Sequence, residues 1–167
     1  NPKRVLIIGG GDGGVAREVA KHPLVEEIVV CEIDEEVVNL SREFLPFMAC
    51  GFDSPKVKLL FEDGYAYVKE HKNEFDVIIT DSSDPKGPAL TLYQTEYYQA
   101  VLECLRKGGL LGLMAESFWF YSATVEDLYR KIRPIYGSVA YAFITSPCYP
   151  SGSLGFLVCG KEKGLNI

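Results

Sequence analysis

The sequence has no apolar run long enough to span a bilayer, and no segment reads as a signal peptide. It lacks an excess of basic charge. Its 17 Lys and Arg stand against 23 Asp and Glu, a net charge of −6, which argues against a nucleic-acid partner held through its phosphates. No C-x-x-C pair occurs among Cys31, Cys50, Cys104, Cys148 and Cys159. Neither a metal site nor a disulfide framework is therefore expected, and the pattern fits a reducing cytoplasm. Histidine is scarce: His22 and His71 each fall near a predicted helix end, have no triad or metal partner, and read as surface residues. No internal repeat, low-complexity stretch or linker divides the chain. An initiator methionine is also missing. Asn1 and Pro2 lead almost directly into the first predicted strand, so the expectation is a piece of a longer chain.

What is present is a regular alternation of apolar runs and amphipathic segments, with 47% apolar residues, enough for one sizeable core. RVLIIGG, EIVVCEI, VKLLF, FDVIIT and LLGLMA read as buried strands. Helices are predicted between them over 13–22, 35–47, 64–71 and 95–106, the last ended by Gly108-Gly109, with another over 124–136. Val37, Val38, Leu40 and Phe44 are expected on the inward face of the second helix. VAYAFIT and LGFLVCG close the chain with no helix between them. They are expected to pair antiparallel. The pattern predicts an α/β fold: a Rossmann-like, doubly wound, mostly parallel seven-stranded sheet with an antiparallel last strand.

The loop after strand one reads GGGDGG, Gly9 to Gly14. Glycines such as Gly9, Gly10 and Gly13 allow a tight turn and close approach of a ligand to the backbone. Glu32 ends strand two about 20 residues on, where an acidic residue typically accepts from ribose hydroxyls. The pair predicts a nucleoside ligand. Asp12 sits inside the loop, where a carboxylate would repel a pyrophosphate, which argues against a dinucleotide. Helix capping by Asp12 is the competing reading.

Every strand end carries a carboxylate: Asp12, Glu32, Asp63, the pair Asp81 and Asp84 in TDSSDPKGP, and Glu116. Uncompensated clustered carboxylates would have to take up protons, so this rim predicts a ligand with several positive charges, sulfonium or ammonium. Asp63, followed by Gly64, is placed either to accept from an adenine amino group or to cap the next helix. Tyr149 either lines an amine channel or packs in its turn on Pro150. For Phe118 and Trp119 ordinary packing is the preferred reading.

These motifs resemble a known family. VLIIGGGDGGVAREVAKH, CEID, EDG, DVIITDSSDPKGPA and YPSGSLGF, across about residues 1–161, are similar to the spermidine synthases, polyamine aminopropyltransferases. The resemblance implies a nucleoside domain of the class I methyltransferase type over 1–167, with the family's N-terminal β-domain and C-terminal tail absent from this sequence. It implies transfer of an aminopropyl group from decarboxylated S-adenosylmethionine, a co-substrate rather than a cofactor, to putrescine or a similar diamine. The products are spermidine and methylthioadenosine. Glu32 would hold the ribose, Asp63 and Gly64 the adenine with Pro88 and Ala89 nearby, and Ser82 would join the donor site. Asp12 and Asp81 would hold the aminopropyl ammonium. Asp81 would also be the general base, and Asp84 and Tyr149 would line the amine site. A homodimer or homotetramer is implied for the intact protein, with no nucleic-acid or membrane partner. Phe118 stands where some members carry a Gln. Competing readings are a diamine N-methyltransferase, against which Asp63-Gly64 argues; an NAD-dependent oxidoreductase, against which Asp12 argues; and a non-catalytic paralogue, against which the complete acidic set argues.

Overall fold

The computed structural model describes residues 1–83 and 86–164. Strand β1 (Arg4–Gly9) alternates its side chains between two cores, as the period of two requires. Leu6 and Ile8 enter one apolar cluster with Tyr97, Tyr98 and Leu111. Val5 and Ile7 enter the other with Ile28, Val30 and Ala16. All four are almost fully buried, each contributing on the order of 1.5–3 kcal/mol of transfer free energy. A strand buried on both faces reads as a continuous apolar run, which is why RVLII carried a clear signal.

The remaining elements are α1 (Gly14–Ala20), β2 (Glu27–Glu32), α2 (Glu35–Phe44), α3 (Pro46–Ala49), β3 (Val57–Phe61), α4 (Gly64–Glu70), β4 (Phe75–Asp81), α5 (Thr95–Cys104), β5 (Leu105–Ala115), α6 (Phe118–Ile132), β6 (Ser138–Thr145) and β7 (Ser153–Gly160). Short 3₁₀ segments lie at Cys50–Asp53, Gly87–Tyr93 and Pro150–Gly152. The sheet has seven strands in the order β3-β2-β1-β4-β5-β7-β6. The first five are parallel, and β7 runs antiparallel to both β5 and β6, as the missing crossover helix predicted. The order reverses between β1 and β4, where Gly9 is in register with Asp81. Ligands of such sheets bind in the crevice at that switch point. No helix among the described residues is long and apolar enough to cross a membrane.

Six expectations are corrected. The helix expected over 35–47 stops at Phe44, because Pro46 cannot donate to the preceding turn, and α3 restarts behind it. On α2 only Val38 of the expected inward residues is buried; Val37, Leu40 and Phe44 are 41%, 46% and 66% exposed. The helix expected over 95–106 ends at Cys104. Leu105, fully buried, pairs with Phe75, so tertiary burial overrides the helical pattern and Gly108-Gly109 falls inside β5 at a bulge. Helix α6 begins at Phe118, six residues before the expected Thr124, through an irregular Tyr121, and ends two residues before Pro134. Its first turn is solvent-facing: Phe118 and Trp119 are 54% and 73% exposed, so neither is packed in the core. His22 is exposed, whereas His71 is half-buried and stacks on Tyr67 with ring centroids 3.9 Å apart.

Candidate active site

The β1–α1 turn is shaped by its contact with β4. Gly9 has φ of +82°, and a Cβ there would collide with the Asp81 carbonyl oxygen. The Gly10 amide donates to that same carbonyl at 3.0 Å. Any other residue at Gly9 would push the glycine loop away from the strand that carries Asp81.

Asp12 follows. Its Oδ1 accepts from the Gly14 amide at 2.8 Å. Asp12 thus satisfies the first amide of α1, although the N-cap position itself is Gly13, and its second oxygen is left for other work. Asp63 is the N-cap of α4, accepting from the Tyr65 amide at 2.8 Å. For both residues the competing readings coexist, since a carboxylate has two oxygens and several acceptor sites.

Glu32 ends β2 and is almost fully buried. Its Oε1 accepts from the Asp34 amide at 3.0 Å, which sets the direction of the carboxylate. Oε2 faces the glycine loop, 2.9 Å from where a Cβ at Gly11 would stand.

These residues converge on one cavity of about 470 Å³, lined by Gly9, Gly10, Asp12, Glu32, Asp63, Gly64, Asp81, Ser82, Pro88 and Ala89 among others. Of the predicted donor-site residues only Gly13 is not in its lining. That glycine instead turns the chain into α1 with φ of +81°. No Lys, Arg or His lines the cavity among the described residues. Burial, then Asp12, then Glu32 push the Asp81 carboxyl above its ordinary value. None of the described residues donates a hydrogen bond to that carboxylate. The floor of the crevice thus holds a carboxylate that its surroundings leave short of positive charge.

A second cavity of about 300 Å³ adjoins the first and shares Ser82 with it. Tyr149 and Glu116 line it, together with Met114, Leu128 and Leu154. The loop bearing Tyr149 reaches this edge because β7 is reversed, so its start, and not its end, lies beside the end of β5. Asp81 and Tyr149 therefore belong to adjoining cavities joined at Ser82. Asp84, expected to help hold the amine, lies outside the described residues.

Sequence reasoning missed several lining residues. Asp34 caps α2 through its own side chain, accepting from Glu36 at 2.9 Å, and it lines the first cavity. The CEID motif contained that signal. Ile33 and Val37 form an apolar wall beside Glu32, and Thr91 and Leu92 close the other side from the 3₁₀ segment. For those last two no local pattern distinguishes a cavity wall from a loop.

Comparison with known proteins accords with this geometry. The model of the spermine/spermidine synthase domain matches residues 1–167. The chain is similar to the spermidine synthase of Schizosaccharomyces pombe, 47% identical over all of this chain and 56% of that protein. It is similar to that of Dictyostelium discoideum, 50% identical over 95% of this chain and 56% of that protein. Among solved structures, a spermidine synthase in complex with the transition-state analogue AdoDATO superposes with a TM-score of 0.92 at 39% identity, covering 96% of this chain and 55% of that one. The spermidine synthase from Thermotoga maritima gives 0.90 at 38%, over 96% of this chain and 54% of that one. The chain spans about half the length of the relatives it matches. Matched by the family's model over residues 1–167 and about half identical to these relatives, it belongs to the spermine/spermidine synthase domain family.

Proposed function

We propose that these residues form the catalytic domain of a polyamine aminopropyltransferase, which moves an aminopropyl group from decarboxylated S-adenosylmethionine to putrescine. One observation carries the reading: a nucleoside-sized crevice ringed by Asp12, Glu32, Asp63 and Asp81 with no basic residue lining it among the described residues. A donor bearing both a sulfonium and an ammonium, and an acceptor bearing two ammoniums, supply the positive charge such a ring requires.

In this reading the ribose hydroxyls donate to Glu32, and the adenine lies against Asp63, Gly64, Pro88 and Ala89. The aminopropyl ammonium lies between Asp12 and Asp81, beside Ser82 and the glycine turn. The diamine enters from the second cavity, past Tyr149. A protonated amine has no lone pair. Asp81 accepts its proton as the nitrogen attacks the propyl carbon bound to sulfur. The C–N bond forms and the C–S bond breaks. Sulfur keeps the electron pair and leaves as the neutral thioether of methylthioadenosine, and the other product is spermidine. The sulfonium is already an activated leaving group, so the domain's task is in-line alignment and proton removal. The raised affinity of Asp81 for a proton suits this step.

The family's N-terminal β-domain and C-terminal tail would complete the intact protein as a homodimer or homotetramer. Free cysteines, three buried and two exposed, support a reducing, cytoplasmic setting.

The test is calorimetric titration with decarboxylated S-adenosylmethionine and, separately, with S-adenosylmethionine. The proposal requires clear preference for the decarboxylated form, because an added carboxylate would meet Asp12 and Asp81. Equal binding, or preference for the carboxylate-bearing form, would indicate a methyltransferase.

A further inference from the structure

The YPSGS motif, Tyr149 to Ser153, supplies hydroxyls that neither the turn nor the transfer chemistry uses. The structure gathers them. The hydroxyl of Ser117, at the start of α6, lies 2.6 Å from that of Ser151 and 2.9 Å from that of Ser153. The Ser151 and Ser153 hydroxyls are 3.1 Å apart. Three hydroxyls so arranged have the geometry for a closed ring in which each can donate to the next and every donor can be satisfied. Two of its members are buried, Ser117 and Ser153 at 3% and 7% exposed, and Ser151 closes the ring from the exposed side.

Two further features show that this ring holds a shape. Ser151 adopts φ of +64°, a left-handed conformation that is unfavourable for a residue with a Cβ and persists where surroundings impose it. The segment around Ser117 is also pinned from the sheet side. The Tyr141 hydroxyl donates to the Glu116 carbonyl and accepts from the Phe118 amide, each at 3.1 Å. A Cβ on Gly155 would collide with that hydroxyl, so this glycine, two residues beyond Ser153, leaves the room in which Tyr141 sits. The flanks of the ring carry two of the polar residues that line the second cavity, Glu116 immediately before Ser117 and Tyr149 two residues before Ser151; Asp127 and Lys131, paired with each other, are among the others.

We propose that Ser117, Ser151 and Ser153 are positioning residues that hold the Tyr149 loop and Glu116 at the mouth of the second cavity, so that the network governs binding of the diamine and not of the nucleoside donor. The proposal rests on the aminopropyltransferase reading for what the cavity takes. The ring joins α6 to the β6–β7 loop across the sheet edge. Within the loop itself the Ser146 amide bonds the Gly152 carbonyl at 2.9 Å, the Tyr149 amide bonds Ser146 at 3.1 Å, and the Gly152 amide bonds Tyr149 at 3.0 Å. These bonds close the turn on itself, and the ring ties the closed turn to the start of α6.

Ser151→Gly and Ser117→Ala test this. Glycine accepts the left-handed backbone at position 151, so the first variant removes the hydroxyl while relieving strain. Amide hydrogen exchange over 146–152 should accelerate in both variants. In the intact enzyme the KM for putrescine should rise about tenfold, the scale of one lost hydrogen bond, while the KM for decarboxylated S-adenosylmethionine stays put. Unchanged exchange overturns the proposal. So does an equal rise in both KM values, which would mark a general loosening of the fold. If the unmutated intact enzyme transfers no aminopropyl group, the functional reading falls instead. The exchange data then still decide whether the ring holds the loop.

Discussion

The hydroxyls of Thr80 and Tyr97 lie 2.7 Å apart in the core, one residue before Asp81. Tyr97 is fully buried on α5. It also meets the ring of Tyr65 edge-on at 5.9 Å, and Tyr65 follows the Asp63-Gly64 turn. The Gly10 amide holds the Asp81 carbonyl from the opposite side. The end of β4 is thus gripped from α5 and from the glycine loop at once. Tyr97→Phe leaves the Thr80 hydroxyl buried without a partner and should cost about 1–3 kcal/mol. Thr80→Val added to it should cost less than the sum of the two single changes, because the second removes the orphaned group. Denaturant unfolding of the four proteins measures this coupling; strict additivity would show that the bond contributes nothing.

Asp81→Asn should separate stability from activity. In the intact enzyme, removing the proton acceptor should lower kcat by roughly 10²–10⁴-fold, the usual scale for a general base. The same change should raise Tm at neutral pH, because it removes a buried negative charge facing Asp12 and Glu32. Near-normal turnover would overturn the base assignment, and an unchanged Tm would show that the crowding of carboxylates is relieved some other way.

The pH dependence has a definite sign. Folding raises the Asp81 carboxyl above its ordinary value, first through burial and then through Asp12 and Glu32. The folded state therefore holds the proton more tightly than the unfolded chain. Below the unfolded value both are protonated and the group costs no stability. As pH rises from there through the folded value, the unfolded chain ionises first, and the stabilisation from the bound proton is lost. The Tm difference between Asp81→Asn and the unmutated protein should shrink on acidification. In kinetics, the acid limb of kcat/KM reports the free enzyme. It should lie above the ordinary Asp range, and the limb of kcat should lie lower, because bound cations favour the carboxylate. Coincident limbs at the ordinary Asp value would contradict the crowding.

Glu32 offers a cleaner probe of the nucleoside half. Its Oε1 is committed to the Asp34 amide, which leaves Oε2 toward the cavity. Glu32→Gln replaces a charged acceptor by a neutral one. Hydrogen bonds to charged groups contribute about 1.5–3 kcal/mol, so methylthioadenosine should bind on the order of 10–100-fold more weakly. The uncharged product isolates the ribose contact from the ammonium contacts. Calorimetry with that ligand alone would overturn the assignment if the affinity were unchanged.

Much of this was legible before any coordinates. Strands buried on both faces announced themselves, as did the reversed β7, because the absence of a crossover helix leaves only an antiparallel return. The rim of carboxylates was legible since one residue type recurred at every strand end. What failed was local pattern against tertiary context. Leu105 reads as helix and is strand because Phe75 pairs with it. Val37, Leu40 and Phe44 read as a buried face and are exposed. Asp12 and Asp63 could not be assigned between cap and ligand, because each ties one oxygen to an amide at a helix start, Asp63 as the N-cap of α4 and Asp12 one residue before the N-cap of α1, with one oxygen to spare. Ser117 and Ser151 are 34 residues apart, and no sequence periodicity links them.

Thiol reactivity provides a test of the cavity wall itself. Cys31 lines the first cavity beside Glu32, yet it is only 1% exposed. Its thiol donates to the Glu62 carbonyl at 3.3 Å. Burial, then Glu62, Asp63 and Glu32, push that thiol up to about 12. Cys104 and Cys159 are buried and are also pushed up to about 12, each chiefly by burial. Cys50 and Cys148 are exposed. Since the thiolate is the reactive form, iodoacetamide at pH 7 should alkylate Cys50 and Cys148 and leave the other three untouched until denaturant is added. Intact mass and peptide mapping count the adducts. Rapid labelling of Cys31 in the native protein would mean that the wall between β2 and the crevice opens, and the carboxylates arranged along it would then face water and not a closed, cation-seeking pocket.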